Sequence, residues 1–192
     1  MAPDSYLSES GREENVKMVA GTIFAVLLSF APLRAQVPCA RGSQVTDQER
    51  IVQAEIQSRI DESMEAAEAN DFAAKVHYFV PDLTLKLADG TVLNRKQVEE
   101  GMKRDADWTL AVSDQTTVKI ECLELQAKEA TVVTNQHFVR TVPDRKDGSP
   151  HELVTNVTHR ETWVYTAAGW LTKRIEELKQ GPTYLDGKLF VE

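Results

Sequence analysis

The chain has 192 residues, 42% of them hydrophobic, with 22 Lys and Arg against 30 Asp and Glu for a formal charge of −8. That size and apolar content suit one domain with a proper core plus a short appendage. The acidic balance, with no Lys/Arg cluster, argues against nucleic acid and against an anionic membrane surface, both of which need a basic stripe. It leaves neutral or apolar small molecules, or a second copy of the chain, as the expected partners.

Residues 19–33 (VAGTIFAVLLSFAPL) form the one long apolar run. It is shorter than the ~20 residues of a membrane-spanning helix, and Pro32 interrupts it. Its length matches the apolar region of a secretory signal, with Leu33-Arg34-Ala35 placing cleavage near Ala35. The preceding residues carry Asp4, Glu9, Glu13 and Glu14 against Arg12 and Lys17, unlike the basic start of a signal, so Met18 is the expected start. The resulting division is an extension at 1–17, a signal peptide at 18–35, a flexible linker at 36–45, the folded domain at 46–180 and a C-terminal tail at 181–192. The expected location is export, to the periplasm or the medium; a buried core helix or a retained anchor is the other reading of the apolar run. Export would permit a disulfide, but Cys39 falls in the linker and Cys122 in a strand, so two free thiols are expected.

Thr46-Asp47-Gln48-Glu49 has capping-box form. Val52, Ile56, Ile60 and Met64 follow at spacing four, which predicts a helix over 47–69 with one apolar stripe. Asn70-Asp71 breaks it and caps a second helix over 72–79, ended by Pro81. Leu83, Leu85 and Leu87 alternate with polar residues as a short strand; Asp89-Gly90 turns it and Thr91-Val92-Leu93 returns. Asn94 and Gln97 form a second capping pair, opening a helix to Trp108 with Val98, Met102 and Ala106 on its inner face. Residues 115–125 read as a strand with Val118, Ile120 and Cys122 on one side. Three long segments rich in Val, Thr, Phe, Trp and Tyr follow at 131–141, 152–166 and 170–178, and Gly181-Pro182 is expected to end the last. The order is helix, helix, short hairpin, helix, then four long strands. The predicted class is α+β, a mostly antiparallel curved sheet with three N-terminal helices on one face.

This pattern resembles the NTF2-like superfamily, in its SnoaL-like and DUF4440-like branches, over about residues 45–180. The likeness is carried by Asn70-Asp71-Phe72, by Phe79-Val80-Pro81-Asp82-Leu83 leading into Asp89-Gly90, by Arg160-Glu161-Thr162-Trp163-Val164, and by residues 169–178 (GWLTKRIEEL). The resemblance implies a cone, the sheet wrapped around the helices, often dimeric, with an interior that holds small hydrophobic molecules. Some such proteins are isomerases, cyclases or dehydratases that move a proton with an Asp or His in the cavity.

Alternation puts His159, Glu161, Trp163 and Tyr165 on one strand face with Val157. If that face is concave, the cavity holds an imidazole near a carboxylate beside two aromatics. The carboxylate is expected to raise the His pKa, and apolar walls that of Glu, poising an acid/base pair. If it is convex, His159 and Glu161 sit at a dimer interface or in water. His137 is a third acid/base candidate, sharing its face with Asn135, Val133 and Val139. Trp163, Tyr165, Asn135 and Trp108 complete the expected ligand contacts. A carboxylate near the position of Asp82 serves as base in ketosteroid-isomerase-like proteins, but the match is not residue-for-residue and a turn-capping Asp is the favoured reading. No HExxH, CxxC or other metal spacing occurs, nor a Gly-x-Ser-x-Gly elbow, and residues 181–189 are one residue too long for a phosphate loop; no metal or cofactor is expected. Three functions remain open: a binder of a small, largely apolar ligand, a proton-transfer enzyme, and an interaction module whose interior is filled by its own side chains.

Overall fold

The computed structural model describes residues 45–190. The expected extension and signal peptide, and all of the linker except Val45, with Cys39, lie outside the described residues. Helix α1 (Asp47–Glu68) starts at the expected capping box: Glu49 N donates to Thr46 Oγ1 at 3.1 Å and Thr46 N donates to Glu49 Oε2 at 2.8 Å. The reciprocal pair satisfies two donors that the helix itself leaves unpaired. Asp71 caps α2 (Phe72–Val76) through Ala74 N at 2.9 Å. This helix is shorter than expected, because Phe79 opens strand β1 (Phe79–Lys86) by pairing with Thr172. The residue before a proline avoids helical backbone, and Pro81 sits where the β1 ladder is irregular and its missing N–H costs nothing.

Strand β2 (Val92–Asn94) returns along β1 after a turn in which Gly90 takes φ +88°. Helix α3 (Arg95–Trp108) then begins at the Asn94/Gln97 capping pair. Strands β3 (Ala111–Val112), β4 (Thr117–Gln126), β5 (Glu129–Pro143), β6 (Pro150–Thr166), β7 (Gly169–Leu185) and β8 (Lys188–Leu189) complete one sheet in the order β2-β1-β7-β6-β5-β3. β4 also pairs with β5, and β8 with β7. Among the described strands, only β1 and β7 run parallel. This is the expected α+β layout, with helices before a curved, mostly antiparallel sheet.

Bulges decide which side chains face the helices. In β4, Ile120 pairs with Thr134 but Cys122 pairs with Val133, so Glu121 is an inserted residue. One extra residue flips the faces of all that follow. Cys122 therefore leaves the face of Val118 and Ile120, and Leu123 takes the inner position instead. Cys122 is also disulfide-bonded, which corrects the expectation of a free thiol; the bulge turns it outward on an edge strand. The expected strand end at Gly181-Pro182 is likewise a bulge. Gln180 pairs with Val157 and Thr183 with Thr155, and β7 continues to Leu185. A Cβ on Gly181 would lie 3.0 Å from the Asn156 carbonyl oxygen, so glycine permits the close approach. The tail then folds back as β8.

Val52, Ile56 and Ile60 of α1 pack on Val118, Ala130, Val132, Trp163 and Trp170. Polar bonds fix the helix in register on the sheet. Gln57 donates to the Val118 carbonyl at 2.8 Å and accepts from Ile120 N at 3.2 Å, while Trp170 Nε1 donates to Glu55 at 3.0 Å. Ile56 is 0% exposed and Ile51, on the other side of the helix, 61%. Ile56→Ala is therefore expected to cost about 2–5 kcal/mol in urea unfolding, with Ile51→Ala near neutral; equal effects would mean that the stripe does not carry the packing.

Candidate active site: a cavity between the helices and the sheet

The helix layer and the inner sheet face enclose a cavity of about 380 Å³. Its apolar wall includes Met64, Phe72, Leu85, Val98, Met102 and Phe138. That volume falls within the range of small-molecule sites, and it counts against an interior filled by its own side chains.

The polar floor is built by alternation on two paired strands. Thr134 and Gln136 of β5 and His159, Glu161 and Trp163 of β6 share the inner face, with Thr134 opposite His159 and Val132 opposite Glu161. Glu161 is only 6% exposed. Its Oε1 accepts from Thr134 Oγ1 at 3.0 Å and from Gln136 Nε2 at 3.2 Å, and its Oε2 accepts from Trp163 Nε1 at 2.9 Å. Burial pushes the Glu161 carboxyl above the usual carboxylate range, against the opposing pull of these three bonds. Gln136 Nε2 also lies 2.8 Å from His159 Nδ1. Burial lowers the His159 pKa to about 4. The expected upward push from a carboxylate is thus reversed: desolvation dominates, and it favours a neutral imidazole. With the amide oriented to donate to Nδ1, the ring proton belongs on Nε2, so His159 has a hydrogen-bond donor to offer.

A second polar group lines the cavity farther along β5. Arg140 lies four residues beyond Gln136 on the same face, with Lys75 of α2 and Asp105 of α3. Burial lowers the pKa of both cations, and Asp105 opposes that shift in each.

His159, Glu161 and Trp163 therefore lie together on the cavity lining. The other expected contacts do not. His137 is on the opposite face of β5, pairs across the sheet with Asn156 and has its Nδ1 2.7 Å from Asn156 Oδ1. Asn135 shares that outer face and accepts from Thr158 Oγ1 at 3.0 Å. Tyr165 keeps the inner parity of β6 but lies at the β6–β7 turn, 51% exposed, edge-on to Trp170. Trp108, 41% exposed, falls off the stripe of Val98, Met102 and Ala106, whose continuation is the buried Thr109. Asp82 is exposed on β1. Sequence reading missed Thr134, Gln136, Lys75, Asp105 and Arg140. The valines at 133 and 139 drew attention to the wrong face, yet the strict alternation Thr134, Gln136, Phe138, Arg140 was there to be read. Among the described residues, no three His, Cys, Asp or Glu side chains converge as a metal site.

Known structures with the same arrangement decide the fold. A Novosphingobium aromaticivorans protein assigned by name as a scytalone dehydratase superposes with a TM-score of 0.62 at 15% identity, over 76% of this chain and 93% of its own. A Streptomyces avermitilis protein named as a dehydratase of the NTF2-like family gives 0.55 at 14% identity, over 67% of this chain and 95% of its own. An NTF2-like superfamily protein from Salmonella enterica gives 0.52 at 17%, over 69% and 93%. This chain has the NTF2-like fold. No family sequence profile matches it, and no curated protein sequence does. In NTF2-like terms, the cavity described above is the interior of the cone.

The two floor groups give opposite pH dependences. Glu161 holds its proton more tightly folded than unfolded, so its contribution is full below the unfolded value of 4.5 and is lost as pH rises through the raised folded value. His159 works the other way, losing stability as pH falls from 6.5 towards about 4. Glu161→Gln removes the first effect alone. Its urea midpoint should gain on the parent as pH rises from 5 to 8; a constant offset across that range would show that Glu161 carries no such shift.

Proposed function

We propose that this NTF2-like domain binds a small, largely apolar organic molecule inside its cone. The observation that supports this most is the combination of an apolar cavity wall with a few convergent polar groups on the floor, the usual make-up of a ligand site. Within the fold we read the chain as SnoaL-like, exported after cleavage near Ala35, and paired as a homodimer; the signal-like run at 19–33 supports export. Among the described residues, no helix is long and apolar enough to cross a membrane.

A second reading is favoured by one specific contact, that of Gln136 with both His159 and Glu161. A proton-transfer enzyme of the isomerase, cyclase or dehydratase type needs a base and a donor for a developing oxyanion. As oriented, His159 Nε2–H is such a donor. If the Gln136 amide turns over, its oxygen accepts from Nδ1–H and Nε2 becomes a free base. Gln136 is then a positioning residue that selects the tautomer, and Glu161 is a carboxyl that burial keeps inclined to hold a proton. Names of similar proteins that include a dehydratase are compatible with this chemistry but speak only for those proteins.

The binding reading is tested with a neutral, polarity-sensitive probe, N-phenyl-1-naphthylamine. Saturable binding at one site per chain is expected, and Val157→Trp, which fills the cavity from β6, should abolish it while circular dichroism stays native. Absence of saturable binding, or binding untouched by that substitution, would refute an internal site.

A further inference from the structure

The chain is acidic overall, yet Lys75 and Arg140 line the cavity without an ion-paired carboxylate among the described residues. The Lys75 ammonium makes no hydrogen bond or ion pair among the described residues; the backbone N–H of Lys75 donates to the Asp71 carbonyl at 3.0 Å. Arg140 has one long hydrogen bond, from Nη2 to Thr155 Oγ1 at 3.4 Å, and its guanidinium carbon lies 5.7 Å from the centre of the Phe138 ring. Its Nε is buried with no hydrogen-bond partner at all. A guanidinium has five N–H donors, so most of this one's capacity is unspent.

Such an arrangement costs free energy in the empty protein. A buried polar group without a partner is destabilising, and an unpaired charge more so. Lys75 and Arg140 also repel one another. The carboxylates nearby do not settle the account. Asp105 attracts both cations but forms no ion pair with either among the described residues, and Asp71 is spent capping α2 through Ala74 N. Glu161 is held by its own three donors. Half-buried cations with unspent donors, lining a ligand-sized cavity without a paired carboxylate among the described residues, suit an anionic ligand group.

We infer that the ligand is an organic acid, whose anionic group is held by Lys75 and Arg140 while its apolar body lies along Phe138 and Met102 towards His159. This rests on the cavity being a ligand site. It replaces a purely apolar ligand with an amphipathic one and sets its length. Gln136 and Arg140 are four strand residues apart, about 13 Å at the usual rise, so the acid must reach that far to touch both ends. A guanidinium and an ammonium facing an otherwise apolar wall suit a single oxyanion such as a carboxylate. The same geometry orients the molecule: its charged head is fixed at the α2–α3 end and its far end, where a hydroxyl or carbonyl would meet Nε2–H, is presented to His159. The two cations are thus specificity-determining residues for either function proposed above.

A matched pair of probes separates this from the cavity itself. N-phenyl-1-naphthylamine is neutral, and 8-anilino-1-naphthalenesulfonate is the same skeleton with one anionic group. The full protein should bind the sulfonate at least tenfold more tightly than the neutral probe. Lys75→Met and Arg140→Met should each weaken the sulfonate about tenfold while leaving the neutral probe's affinity within twofold, and neither should lower the melting temperature. Equal affinity for both probes in the parent protein, or sulfonate binding unchanged in both variants, would overturn the acid-binding inference and leave the cavity standing. Binding of neither probe would overturn the cavity reading along with it.

Discussion

The burial of one carboxyl group, that of Glu161, is the constraint around which the interior is arranged. A carboxyl taken out of water is tolerated only if its oxygens are met by donors. Thr134, Gln136 and Trp163 supply three, from two different strands. Those donors converge only if β5 and β6 keep their register, and fifteen consecutive pairings from Glu129 with Val164 to Pro143 with Pro150 hold it. A slip by one residue would turn Glu161 outward and put Arg160 in its place. The same register then carries Gln136 to His159, so the carboxyl's hydrogen bonds and the imidazole's tautomer are set by one piece of backbone geometry. Helix α1 closes the network from above, its stripe packing on Val132 and Trp163, which flank the polar cluster.

Two charge environments follow within one cavity. On the floor, burial favours the uncharged forms of an acid and a base that stand side by side, and outweighs the hydrogen bonds that favour the Glu161 carboxylate, the situation in which a small push moves a proton. Near Arg140 and Lys75, burial works against charges that cannot be given up so readily, and among the described residues no carboxylate forms an ion pair with either. The Glu161 carboxyl is thus met by donors of the protein itself, whereas the cations at the other end have no paired carboxylate among the described residues. That asymmetry is the physical reason to regard the first as the chemical or polar-recognition end and the second as the anchoring end.

Much of this fold was legible in the sequence because its signals are local. The capping boxes at Thr46 and Asn94 start two helices at the residues expected, and the long β-branched and aromatic segments become β5, β6 and β7. What escaped is set by pairing with distant partners. Pro81 was read as the end of a helix, but the sheet captured Phe79 two residues before it. Gly181-Pro182 was read as a stop and is a bulge. Cys122 was assigned to the face of Ile120 until the insertion of Glu121 turned it outward. The candidate site divided along the same line. His159, Glu161 and Trp163 could be grouped from parity on one strand, whereas grouping them with Gln136 and Arg140 required knowing which parity of β5 faced in. Tyr165 and Trp108 show the limit of ranking by size: Tyr165 keeps the inner parity of β6 yet is exposed at the β6–β7 turn, and Trp108 falls off the inner stripe of its helix.

The protonation state of His159 is the most direct gauge of this arrangement, because it reports burial, register and the Gln136 contact together. Nitrogen-15 chemical shifts of its ring, followed by NMR between pH 3 and 8, should show a neutral imidazole protonated on Nε2 at pH 6 and a titration near pH 4. A ring that titrates near the ordinary 6.5, or that carries its proton freely on either nitrogen, would mean that the floor is wet and the network described here does not hold.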